Sequence, residues 1–293
     1  MAVEIRELHP GFAAEVHGLD LRQPIAAEQA SALQAGIDTH PVLVFRGPTI
    51  TNEQQIAFSR NFGTLARATE YQKDPTKRRL GAEMTDASNL SEDSQVLGAG
   101  DRRRMNNLGS RRWHTDGSYK RLSGKYSLLS AHTVASDGGE TQLADMRAGY
   151  DSLPDKLKEL IEDLVVEHSI FHSRAVVGFG EFSGNEQASL PPARHPLVRI
   201  HPATGRKSLY ISSHASHVVG WPRPEGIDLL HELTEWATQP ANVYTHSWQV
   251  GDLVMWDNRF TMHRARRHYP ETDVRDMRRT TIEEQLPPLE QVR

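Results

Sequence analysis

Short runs of β-branched and aromatic residues, separated by turn-forming residues, recur along this chain and confine it to folds made of many short strands. The runs are VLVFR (42–46), YSLLSAHTVA (126–135), SLYIS (208–212), VYTHSW (243–248), DLVMW (252–256) and RTTI (279–282). Helical spacing is confined to 27–37, to NEQQIAFSRNFG after Thr51, to 146–150, to a segment starting at Ser152 and running through 154–164, and to 224–238. Thr51 and Gln54 read as a capping box, in which a hydroxyl and an amide exchange hydrogen bonds with the backbone of the first turn. The glycines form neither G-x-G-x-x-G nor a Walker loop, which argues against a doubly wound nucleotide-binding sheet. The pattern predicts a mainly β sandwich or barrel with helical decorations, and 1–293 is short enough to form one domain of that kind. Two polar stretches, 66–112 and 178–192, break the pattern and are predicted to be lid loops flanking a site entrance.

The chain has no cysteine. That excludes disulfides, thiolate metal sites, iron–sulfur clusters and cysteine nucleophiles, so any metal must be held by His, Asp or Glu. A net charge of -4 and a pI near 6.4 lack the basic surplus of a nucleic-acid binder. MAVEIRELHPGF has no apolar signal-peptide region, and no apolar run reaches membrane-spanning length. The expectation is therefore a cytoplasmic protein with no nucleic-acid or membrane partner.

The chemistry is concentrated in RRWHTDGSY. In an extended segment His114 and Asp116 point to the same face, so an imidazole and a carboxylate enter the same space. A third ligand is supplied by His263, a few residues past LVMW in GDLVMWDNRFTMHRA. Two histidines and one carboxylate make the facial triad of non-haem iron(II) oxygenases, which leaves positions open for reactants. Twelve residues on, Arg275 in DVRDMRRTTI offers a planar fork that can pair both oxygens of a carboxylate, as the far end of 2-oxoglutarate would require. Asp257 and Asn258 are expected to fix the turn that presents His263 through side-chain to backbone bonds. Trp113 and Trp256 read as core packing, and Tyr71 and Tyr119 as candidate pocket walls. His214 and His217 form H-x-x-H in a presumed loop. His214 reads as a pocket-lining residue that meets substrate, rather than as half of a second metal site.

Seven blocks in order carry a wider resemblance: HPGFAAEVHGLDLRQPI, VLVFRGPTITNEQQIAFSRNFG, WHTDGSY, GGETQLADMRAGYDSLP, HPLVRIHPATGRKSLYI, GDLVMWDNRFTMHRA and RDMRRTTI. The sequence resembles the TauD/TfdA family of taurine and 2,4-dichlorophenoxyacetate dioxygenases, and ISSHASHVVG and ADMRAGYDSLP place it nearer the phenoxyacetate-cleaving branch. The resemblance implies a double-stranded β-helix, the cupin-like jelly roll. It implies that His114, Asp116 and His263 hold iron(II), and that Thr141 and Arg275 bind the 2-oxoglutarate carboxylate. Arg279 matches an arginine that meets an anionic group on the substrate, and Lys73 or Arg67 stands where that branch carries further basic residues. The spacing from His263 to Arg275 is one residue longer than usual, which places an insertion in HYPETD. The family also suggests a homo-oligomer.

The implied reaction consumes 2-oxoglutarate and O2, releases succinate and CO2, and hydroxylates or cleaves a small organic acid, an aryloxyalkanoate-like carboxylate first. An alkylsulfonate such as taurine is the alternative within the class. Outside it stand a non-catalytic jelly-roll binding protein, which an intact ligand set argues against, and a zinc hydrolase, which would leave Thr141 and Arg275 without a task.

Overall fold

The computed structural model describes residues 2–67, 78–180 and 182–285. Its largest sheet has seven strands in the order Glu4–His9, Ala13–His17, Val42–Phe45, Leu253–Asp257, Gly124–Thr133, Asp276–Glu283 and Thr85–Asp86. Neighbours are antiparallel except Ala13–His17 and Val42–Phe45, which run parallel. VLVF and LVMWD are buried along their whole length, because both faces of this sheet are covered and neither needs polar alternation. The two-residue period still sorts the side chains. Leu43, Phe45, Leu253 and Met255 pack with Leu33, Ile37 and Phe58 of helices Ala27–Thr39 and Asn52–Ser59. Val42, Val44, Val254 and Trp256 form the other face together with Leu143.

Leu143 belongs to a second sheet, ordered Val243–His246, Thr141–Asp145 and Thr261–Ala265. Its neighbour Ala144 turns the opposite way, into a core with Met146, Leu229, Leu233 and Met262. That core is closed by helices Met146–Asp151 and Arg223–Ala237 and takes in Val166, Val198, Leu209 and Val218 from the shorter strands beyond. The chain is thus a mixed α/β protein with many strands, in which two facing sheets carry helices on their outer surfaces. No helix among the described residues is long and apolar enough to cross a membrane.

Several sequence expectations change here. The 66–112 stretch is not all loop. It holds helix Arg102–Asn107, a 3-10 turn Leu108–Arg111 and the edge strand Thr85–Asp86. Asp101 starts that helix by accepting from the backbone N–H groups of Arg103 and Arg104, a local cap that needs no apolar stripe. Likewise 178–192 contains helix Gly184–Ser189, started by a Ser183–Glu186 capping box. Ser152 closes the helix before it, and the next one begins at Asp155. The Thr51–Gln54 capping box forms as expected.

Acid sensitivity follows from the buried histidines. Burial, helped by the nearby Arg199 charge, pushes His195 down to about 4, and His168 lies well below its ordinary value for the same first reason. Both are fully buried. The unfolded chain protonates these rings below its own value near 6.5, while the fold does not until much lower pH, so stability falls as pH drops through that window. Each such histidine is worth about 1.4 kcal/mol per pH unit there. The urea midpoint is expected to fall between about pH 6.5 and about pH 5, before carboxylates begin to titrate. A midpoint unchanged over that range would contradict it.

Candidate metal and co-substrate site

The site is assembled where the chain passes from one sheet to the other. Strand Leu253–Asp257 lies in the large sheet and Thr261–Ala265 in the small one, and residues 258–260 turn between them. Asp257 Oδ1 accepts from the Arg259 N–H at 2.9 Å, and the Thr261 hydroxyl donates to the Asp257 carbonyl at 2.8 Å. Asp257 therefore fixes the turn as expected. His263 sits on the returning strand, and its N–H donates to the His114 carbonyl at 2.7 Å. The His114 N–H returns the bond to the His263 carbonyl at 3.0 Å, an isolated antiparallel bridge that sets the two imidazoles side by side with ring centres 4.2 Å apart.

Asn258 does more than shape the turn. Its Oδ1 accepts from the Asp116 N–H at 3.2 Å and from Trp256 Nε1 at 2.8 Å, and its Nδ2 donates to Ser127 Oγ at 2.9 Å. Ser127 Oγ in turn donates to Asp116 Oδ2 at 2.7 Å. One buried amide thereby holds the backbone of the carboxylate residue and, through Ser127, its side chain. Asn258→Ala is expected to cost about 1–3 kcal/mol for each donor left unsatisfied. It should weaken metal binding by about 10- to 100-fold, as loss of a ligand's supporting partner does. Urea unfolding and a metal titration check both. Unaltered metal affinity would show that Asp116 is held by other means.

His114, Asp116 and His263 are the one group of three potential ligands found among the described residues, with ligand atoms within 4.8 Å of one another, and all are buried. Burial keeps both imidazoles neutral: His114 is lowered, and His263 lies well below its usual value. Burial alone would raise the Asp116 carboxyl. The Arg279 guanidinium outweighs it, aided by the two histidines and Ser127, and holds it at about 2. His114 Nδ1 lies 2.8 Å from the Arg112 carbonyl, so it carries the proton and leaves the Nε2 lone pair for a ligand. Two neutral nitrogens and one carboxylate oxygen fit a divalent metal of the iron(II) kind.

The triad opens into a cavity of about 700 Å³, whose walls include Thr141, Arg275, Arg279, His214, Tyr119 and Trp256. Arg275 is half-buried, and among the described residues its guanidinium reaches carbonyls, Nη1 to Ala87 at 3.4 Å and Nη2 to Gly139 at 3.2 Å. It has no carboxylate partner among the described residues, and burial pushes its pKa down to about 10. A cation so placed calls for an anion from outside. Thr141 Oγ1 accepts from Trp248 Nε1 at 3.0 Å. Indole can only donate, so the Thr141 proton is left for an acceptor in the cavity.

The other predicted residues fall out differently. Arg279 was expected to meet an anionic group on the substrate. It borders the cavity, and its Nη1 also donates to Asp116 Oδ1 at 2.5 Å, so it supports a metal ligand. The pair joins residues remote in sequence, which is why spacing could not reveal it. Lys73 and Tyr71 lie outside the described residues, whereas Arg67 and Tyr119 line the cavity. His214 does line it, edge-on to His114 at 6.1 Å and to Tyr119 at 5.0 Å. His217 lies on strand Ala215–Val218 rather than in a loop, with its Nδ1 3.9 Å from Glu167. Trp113 packs against the outer core and under Arg264. Ser127 and Trp248 were not anticipated, since neither stands in a motif.

Comparison with known proteins places this geometry. The family model described as "Taurine catabolism dioxygenase TauD, TfdA family" matches residues 4–281. The alpha-ketoglutarate-dependent 2,4-dichlorophenoxyacetate dioxygenase of Burkholderia sp. (strain RASC) is 43% identical over 281 residues, covering 96% of this chain and 94% of the relative. The (S)-phenoxypropionate/alpha-ketoglutarate-dioxygenase of Sphingobium herbicidovorans is 38% identical, covering 90% of this chain and 89% of that one. Among solved structures, AAD-2 in complex with Mn(II) and N-oxalylglycine superposes with a TM-score of 0.90 at 44% identity, over 98% of this chain and 99% of that chain. At such identity over nearly the full length, the chain belongs to the TauD, TfdA dioxygenase family.

Proposed function

We propose that this 2-oxoglutarate-dependent dioxygenase hydroxylates or oxidatively cleaves a small aryloxyalkanoate-like carboxylate. Iron(II) is held by His114, Asp116 and His263, and 2-oxoglutarate by Thr141 and Arg275. The observation that carries the reading is Arg275, a half-buried guanidinium without a carboxylate partner among the described residues, in the same cavity as a metal-competent triad. A zinc hydrolase gives that charge no purpose, and the intact set of metal ligands argues against a passive binding protein. The names of the relatives at 43% and 38% identity support the aryloxy class over the alkylsulfonates.

When bound, iron(II) supplies the coupling of O2 to 2-oxoglutarate decarboxylation, so that succinate and CO2 leave as a substrate C–H becomes C–OH. The protein's own part is placement. Arg275 and the Thr141 hydroxyl orient the co-substrate by its carboxylate. Asn258, Ser127 and Arg279 hold Asp116 ionised and fixed. If the hydroxylated carbon bears an aryloxy group, the product is a hemiacetal that falls apart to a phenol and an oxoacid.

The reading extends to architecture. The two facing sheets are taken as the walls of a double-stranded β-helix, and 1–293 as one domain. Succinate release with iron(II), ascorbate and 2-oxoglutarate, assayed across aryloxyacetates, aryloxypropionates and taurine, tests the function. Turnover of the sulfonate alone would overturn it.

A further inference from the structure

With Arg279 engaged by Asp116 and Arg275 given to the co-substrate, the cavity still has to meet the charge of an acidic substrate. One of its walls is built around another guanidinium. Helix Ile170–Val176 brings Arg174 to the cavity, where its Nε donates to Asn106 Oδ1 at 2.8 Å and its Nη1 to Ser173 Oγ at 3.4 Å. The group lies against Gly109. A Cβ at that position would come within 2.1 Å of Nη1 and 2.5 Å of Cζ. Gly109 sits in the 3-10 turn Leu108–Arg111 and has no positive φ, so its backbone would accept other residues. Its missing side chain serves as space for the guanidinium.

The same Ser173 hydroxyl fixes its neighbour. Ser173 Oγ donates its only proton to the Ile170 carbonyl at 2.7 Å, so the His214 Nδ1 found 2.8 Å away must donate to it. Neutral His214 then has no proton on Nε2. An acid group at this wall finds no donor on that ring, but finds one on Arg174. The Arg174 charge is close enough to act on both His114 and His214, whereas Arg275 enters beside Ala87 and Gly139. Ile170, one helical turn before Arg174, borders the cavity with Leu108 and Phe179, and the Phe179 N–H donates to the Arg174 carbonyl at 2.9 Å. A cation fringed by apolar side chains suits a carboxylate attached to a ring.

We propose that Arg174, seated on Gly109 and steered by Asn106 and Ser173, binds the carboxylate of the primary substrate. This rests on the substrate being an organic acid. The test uses protein loaded with Mn(II) and N-oxalylglycine and compares binding of phenoxyacetate with that of its neutral amide, phenoxyacetamide. Steady-state succinate release with iron(II) runs alongside. Wild type is expected to prefer the acid by about tenfold or more, and Arg174→Gln to lose about 10- to 100-fold for the acid with little change for the amide. The 2-oxoglutarate half-saturation should stay within about twofold, since that ligand uses Arg275. Gly109→Ala keeps the charge but pushes it off its seat, and should erode the same preference. Should Arg174→Gln fail to fold, Gly109→Ala and Arg174→Lys, which keeps the charge without the planar fork, carry the test. Full acid preference kept in Arg174→Gln, or in Gly109→Ala where Arg174→Gln does not fold, overturns the role of Arg174 and leaves the substrate class standing. No acid preference in wild type overturns the substrate class, and this proposal with it.

Discussion

His263→Ala is expected to leave a folded protein that retains no iron(II) and releases no succinate above background. The side chain supplies one of three ligands, and His214, the neighbouring histidine beside His114, is held by Ser173. The fold should survive, since the main chain at 263 is fixed by its bridge to His114 and not by the imidazole. Metal content after anaerobic loading, succinate release and the thermal melt measure the three parts separately. Asp116→Ala is a useful companion. It should be equally inactive but less stable, because it also strips Arg279 of its carboxylate. Arg279 is partly exposed, so the added loss is about 1–2 kcal/mol rather than the larger cost of a fully buried orphan. Iron retained by His263→Ala at wild-type stoichiometry would refute the ligand assignment.

Arg275→Leu is expected to split function from stability. A charge-assisted pair is worth about 1.5–3 kcal/mol, so the 2-oxoglutarate requirement should rise by about 10- to 150-fold. The ligand-free variant should nevertheless melt no lower than wild type, because the native guanidinium sits half-buried among carbonyls without a counter-ion among the described residues. Adding 2-oxoglutarate at about a hundred times its dissociation constant should stabilise wild type by about 2.7 kcal/mol and Arg275→Leu much less. A variant with normal 2-oxoglutarate response would remove Arg275 from the site. One with the expected kinetic defect but a collapsed melt would mean that the charge has a structural partner.

The extent to which the site could be read from sequence depends on how local each signal is. His114 and Asp116 are two residues apart, and the period of extended chain alone puts them on one face. His263 follows an unmistakable buried strand, although its own strand, Thr261–Ala265, is too mixed in polarity to announce itself. The Thr51–Gln54 box is equally local. Strand Glu4–His9 is illegible in the sequence because it is a largely exposed edge with little apolar pattern. Helix Arg102–Asn107 is hard to read because its signal is a single aspartate cap. The Asp116 contact of Arg279 and the placement of Arg174 are illegible in the sequence for another reason. Each takes its meaning from partners such as Asp116 or Gly109, which only the folded chain brings alongside, and charge counted along a sequence does not show which groups a guanidinium will meet.

The two histidines of the triad are stitched to each other through their main chains, and an asparagine holds the aspartate, so the shape of the cradle does not depend on what it carries. Chelation is therefore expected to leave the main chain of the cradle in place, and reloading to need no refolding; circular dichroism before and after metal removal checks it.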